Sequence, residues 1–146
     1  MGFWLKPCIV ILGVTGWFVV TAVSKGLAAD ILTSNPVTRV PTSADGVQRA
    51  TVILDSYSYS PNYLAVEHGK PVELTLTSVT TIIPHNFIMN DPGGSLSVEQ
   101  DVGAGKTVTM RFIPTQRGHF SFFCDKRLWP MPSHRDKGME GILDVE

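Results

Sequence analysis

The chain has 146 residues and a formal net charge of −1, with 43% hydrophobic and 17% charged residues. That length allows one domain. So small a charge argues against nucleic acid as a partner, which calls for a strongly basic surface.

Residues 1–29 read as a leader. Lys6 precedes an uncharged run from Cys8 to Val23, and Gly26-Leu27-Ala28 offers a small-x-small cleavage site of the exported kind. The run is a little long for a removable signal and a little short for a span of about 20 residues, so a retained membrane anchor is the alternative to the favoured cleavage. Cys8 follows Leu5-Lys6-Pro7, which is no lipobox. Export places the protein in the periplasm or elsewhere outside the cytoplasm. Loss of the leader leaves ten basic against thirteen acidic residues, a net −3, and makes Cys124 the sole thiol. A lone cysteine in an oxidising compartment needs an explanation.

Residues 30–49 are rich in Ser, Thr, Pro and Val without an apolar period, and read as a flexible tether or a loosely attached first strand. From residue 50 to 146 the pattern is all-β. Runs at Thr51–Leu54, Tyr63–Glu67, Val72–Ser78, Ile82–Met89, Thr107–Phe112, His119–Phe123 and Gly141–Val145 are separated by turn residues such as Gly69-Lys70-Pro71 and Asp91-Pro92-Gly93-Gly94. Seven short strands suit a Greek-key β-sandwich.

Side chains two apart on a strand share a face. His85, Phe87 and Met89 therefore point one way, and Phe120, Phe122 and Cys124 point one way on theirs. If the phenylalanines face the core, His85 and Cys124 face inward at strand ends, and the loop from Asp125 to Gly138 folds back to deliver His134 and Met139. Alone, His85 is an ordinary satisfied histidine, Met139 core filler and Cys124 an inert buried thiol. Together, two imidazoles, a thiolate and a distant thioether are the donors that select copper in an electron-transfer site. His68 in a turn and His119 on the face opposite Cys124 read as exposed or structural. Met131, between Pro130 and Pro132, reads as surface packing, and the Glu140 side chain should point away from Met139.

From about Arg49 to Glu146 the chain resembles a cupredoxin, the small blue-copper electron-transfer domain. Pro84-His85-Asn86 is similar to the first-ligand segment of plastocyanins. Gly118-His119-Phe120-Ser121-Phe122-Phe123-Cys124 resembles the family's Gly-x-aromatic-x-aromatic-x-Cys strand, and His134-x₄-Met139-x-Gly141 its closing segment. The resemblance implies one copper per chain, cycling between Cu(I) and Cu(II), held by His85, Cys124 and His134 with Met139 as a weak axial donor. It also implies that Asn86 braces the ligand loop near Asp125 and that His134 is the electron's exit. Nine residues separate Cys124 from His134, where plastocyanins have far fewer; copper nitrite reductases also have longer spacings. Tyr57-Ser58-Tyr59-Ser60-Pro61 and Leu74-Thr75-Leu76-Thr77-Ser78 resemble parts of the binuclear copper domain of cytochrome oxidase subunit II, but that centre needs two cysteines.

The expected function is therefore single-electron transfer by a monomer to a redox protein such as a cytochrome or oxidase. Docking is expected through Leu128, Trp129, Pro130, Met131 and Pro132, flanked by Lys126, Arg127, Arg135 and Lys137. Trp129 could equally plug the site against water. The alternative is a copper carrier or resistance protein that buffers or delivers the metal. Catalysis is not expected, since a chain of this size leaves only His68 and His119 for a second copper and offers no acid–base pair.

Overall fold

Val72, Leu74 and Leu76 alternate with Glu73, Thr75 and Thr77, and that period of two is what a strand with one face on a core requires. The same logic repeats along most of the chain. A computed structural model describes residues 36–94 and 96–146; the leader read over residues 1–29 lies outside the described residues. Ten strands form two sheets: β1 (Thr38–Arg39), β2 (Gln48–Asp55), β3 (Ser58–Ser60), β4 (Tyr63–Val66), β5 (Val72–Ser78), β6 (His85–Asn90), β7 (Ser97–Val102), β8 (Thr107–Phe112), β9 (Gly118–Phe123) and β10 (Glu140–Val145). One sheet has the order β1-β4-β10-β9-β6-β7 and the other β3-β2-β5-β8. Both mix parallel and antiparallel pairs, as β2 runs parallel to β5 and β5 antiparallel to β8. The expected all-β sandwich is what the chain forms, with three strands beyond the seven expected among the described residues. Among the described residues, no helix is long and apolar enough to cross a membrane.

The segment read as a tether or loose first strand contributes β1, which pairs parallel with β4, and Val40, which is buried. Arg39 forms an ion pair with Glu146, a residue distant in sequence. Gln48, wholly buried, donates from Nε2 to the Glu67 carbonyl and accepts the Glu67 N–H at Oε1, so a buried amide has both groups satisfied. Strand β6 starts three residues later than the expected Ile82. The difference follows from Pro84, which has no N–H to give a ladder.

Leu54, Leu64, Leu74, Leu76, Phe87, Phe122 and Leu143 are fully buried between the sheets. Phe87 stacks on Phe122 at 4.6 Å, and Tyr59 meets both rings edge-on at 5.9 and 5.2 Å. Tyr59 comes from β3, in the four-stranded sheet, and its hydroxyl donates to the Asn86 carbonyl on β6 at 2.5 Å. A buried tyrosine that finds an acceptor contributes both area and direction, and this one locks the two sheets together beneath the residue that follows His85.

Gly141 lets β10 approach closely. A Cβ there would overlap the Asn62 carbonyl oxygen and the ring of Phe122. Gly141→Ala should therefore lower stability by about 1–3 kcal/mol through overpacking, and melting temperature by roughly 4 °C or more, read by thermal denaturation. An unchanged melting temperature would show that both the ring and the Asn62 backbone can move aside.

Candidate metal centre

Strands β6 and β9 pair antiparallel at Ile88 with Phe123 and Met89 with Phe122. Continuing that register along the chain brings the start of β6 beside the residues that follow β9. There, Asn86 Nδ2 donates to Asp125 Oδ1 at 2.7 Å, and the Asp125 N–H donates to Asn86 Oδ1 at 3.1 Å. This is the brace expected of Asn86. It sets Cys124, wholly buried, next to His85, also wholly buried, and the Asn86 N–H donates to Cys124 Sγ at 3.4 Å.

The loop from Asp125 returns through a single 3₁₀ turn, Arg135–Lys137, which His134 caps at its N-terminal end. Gly138 closes the turn at φ 91°, a left-handed position that suits glycine. Three backbone bonds hold the return: His134 N–H to the Lys126 carbonyl (2.8 Å), Met139 N–H to the His134 carbonyl (3.0 Å), and Cys124 N–H to the Met139 carbonyl (3.1 Å). Met139 is fully buried and thus bonded through its backbone to both other residues of the segment. Lys126 reaches back to Asp101 on β7 in an ion pair of 2.6 Å, tying the loop to the edge strand.

The result is a cluster in which one donor atom each of His85, Cys124 and His134 lies within 4.8 Å of the others. His134 Nδ1 is 3.3 Å from Cys124 Sγ, and the two imidazole centroids are 5.1 Å apart. Burial, and then the neighbouring His134, push the His85 imidazole down to about 4, so it is neutral near pH 7. Burial and then Lys137 lower His134 also. Burial raises the Cys124 thiol, against the N–H groups of Asn86 and Lys126, which draw it down.

The His85 tautomer follows from its neighbours. Thr80 Oγ1 donates its proton to the Ile83 carbonyl at 2.6 Å and lies 3.3 Å from His85 Nε2. With that proton committed, the Thr80 oxygen accepts from Nε2–H, which leaves Nδ1 as the lone-pair nitrogen. His85 Nδ1 is buried and has no hydrogen-bond partner among the described residues. Such an orphan is rare enough to ask for a ligand. No local pattern around Thr80 in the sequence pointed to this role.

The remaining expected placements sort by exposure. His119 is exposed and pairs with Asp144 at 3.3 Å, and His68 is exposed with Nε2 3.0 Å from the Thr115 carbonyl. Glu140 is exposed, 3.7 Å from Arg135. Met131 is exposed. Trp129 is 81% exposed, so it does not plug the site. His134 lines a surface depression between Ile82–Pro84 and Lys126–Leu128. Arg135 and Lys137 are partly engaged, over the rings of Phe123 and Tyr57 respectively.

Residues 10–139 match the family described as "Cupredoxin-like domain", and the chain belongs to that family. No curated protein matches the chain. Among solved structures, it is similar to the metal-binding domain of the Cu(I)-exporting P-type ATPase CopA of Streptococcus pneumoniae D39, with TM-score 0.60 and 18% identity over 77% of this chain and 97% of that one. It is similar to auracyanin from Roseiflexus castenholzii, with TM-score 0.55 and 17% identity over 67% and 96% of the two chains. It is also similar to auracyanin A of Chloroflexus aurantiacus, a "blue" copper protein, with TM-score 0.50 and 17% identity over 67% and 99%. These likenesses establish a shared fold. The family and the buried nitrogen–sulfur–nitrogen cluster fit one copper ion per chain.

Thr80→Val keeps the shape but removes the acceptor that selects the His85 tautomer. If His85 is a copper ligand, copper affinity, measured by competition with a chelator, should fall about 10- to 100-fold, as is typical when a partner of a metal-binding histidine is lost. Equal affinity would show that His85 needs no such partner.

Proposed function

We propose that this is an exported electron carrier whose copper is held by His85, Cys124 and His134, with Met139 as a weak axial donor. The observation that carries the reading is the buried cluster of His85, Cys124 and His134, with donor atoms within 4.8 Å of one another and His85 Nδ1 without a hydrogen-bond partner among the described residues. When bound, copper supplies a one-electron Cu(II)/Cu(I) couple. The chain's own part is to hold three donors in place through the backbone bonds and the Asn86–Asp125 brace, and to exclude solvent. A cation also reverses the thiol's raised affinity for its proton, because the coordinating form of cysteine is the thiolate.

His134 sits under the surface depression, so electrons would pass through its ring. Leu128, at 75% exposure, and Ile82, at 84%, line that depression, and exposed Trp129 follows Leu128 in the chain, which together is more apolar surface than a solvated loop needs. Such a patch suits a small, transient interface with a redox protein. Arg127 and its cationic neighbours would steer an acidic partner in a salt-dependent way. Export and an extracytoplasmic site of action, by cleaved signal or retained anchor, rest on the leader's pattern.

The second reading is copper delivery or buffering, which the same donors permit and which is the setting of the Cu(I)-exporter domain with the same fold. Exchange separates the two. A carrier of electrons keeps its metal through many redox cycles, whereas a carrier of copper loses Cu(I) quickly to a mild competing chelator.

Two substitutions test the donor assignment. Cys124→Ser should abolish the intense thiolate-to-copper absorption and leave the sandwich folded by circular dichroism; colour that persists would mean another sulfur makes the bond. Met139→Leu should retain copper and raise its reduction potential in voltammetry, since an axial donor is lost. A lowered potential would count against Met139 as the axial donor.

A further inference from the structure

Tyr57 stands in the turn between β2 and β3, in the four-stranded sheet, whereas His134 belongs to the segment that closes the six-stranded one. Its φ is 64°, and among the described residues it is the non-glycine residue with positive φ. A bulky residue in this left-handed region persists where its surroundings over-determine it, and such residues cluster at functional sites. Here the surroundings are specific. The Tyr57 ring meets the His134 ring edge-on, with centroids 5.1 Å apart and planes at 78°. Lys137 Nζ lies 4.0 Å from the centroid of the Tyr57 ring, and Lys137 is in the 3₁₀ turn that His134 caps.

We propose that Tyr57 is the positioning residue for His134. Rotation of an imidazole about its last side-chain bond is broad and roughly two-fold, so neighbours rather than rotamer preference set the plane of the ring. His85 gets its orientation from Thr80 at Nε2. The His134 ring gets its own from its T-shaped contact with the Tyr57 ring, which keeps Nδ1 aimed at Cys124 Sγ across 3.3 Å. Lys137 completes the clamp by a cation–π contact, which holds Tyr57 to the same turn. The inference rests on the assignment of His134 as a copper donor.

The test compares Tyr57→Phe, which keeps the ring, with Tyr57→Gly, which removes it while relieving the positive φ. The first readout is the pattern of short interproton contacts between the His134 ring and its other neighbours in metal-free protein, with the contacts of the His85 ring as internal control. The second is copper affinity by chelator competition. The Phe variant should match the wild type on both. The Gly variant should change the contacts of the His134 ring, leave those of His85 in place, and bind copper about 10-fold more weakly or worse. Should the Gly variant not fold, Tyr57→Asn, which tolerates the left-handed region, takes its place with the same readings. Unchanged His134 contacts in a folded Gly or Asn variant would overturn the role of Tyr57. Failure of the wild type to take up copper would instead overturn the donor assignment, because the contacts in the metal-free protein do not depend on it.

Discussion

The paired hydrogen bonds between Asn86 and Asp125 are the joint on which this site depends. Strands β6 and β9 share only two paired positions, Ile88 with Phe123 and Met89 with Phe122. Beyond those positions the side chain of Asn86 continues the ladder, and its backbone N–H turns to Cys124 Sγ. A residue with one donor and one acceptor at the end of its side chain can substitute for a backbone pair in this way. The Asn86 carbonyl is held in turn by Tyr59 from the opposite sheet, so the joint cannot slide without breaking bonds in both layers.

Burial imposes the second constraint. His85 and Cys124 have no exposure and His134 has 6%, which favours the neutral form of every donor when no metal is present. His85 Nδ1 meets no partner among the described residues, and a buried polar atom left so costs about 1–3 kcal/mol. The fold tolerates that cost because Phe87, Phe122 and Tyr59 supply a large apolar core directly beneath. A site already assembled in this way needs little rearrangement to receive a metal.

Much of this was legible in the chain. Alternation located β5, β8, β9 and β10, and placed His85 and Cys124 on inward faces at strand ends. Other elements were not legible, for physical reasons. Strand β7 reads Ser97-Val98-Glu99-Gln100-Asp101-Val102 and is an edge strand paired to β6 alone, so its polar residues face solvent and mask the period. Strand β3 is three residues long, and only Tyr59 is buried. Trp129 looked as fit to seal the site as to dock a partner, because an aromatic side chain carries no mark of which way its loop faces.

What the sequence determined by itself is the presence and order of His85, Cys124, His134 and Met139, together with a β pattern that turns the first two inward. Those properties follow from side-chain chemistry and a period of two, both local. Only the tertiary structure decided which nitrogen of His85 is free, that Thr80 frees it, and that Tyr57 lies against His134. These are contacts between side chains brought together from separate strands and loops, and such contacts obey packing rather than any spacing along the chain.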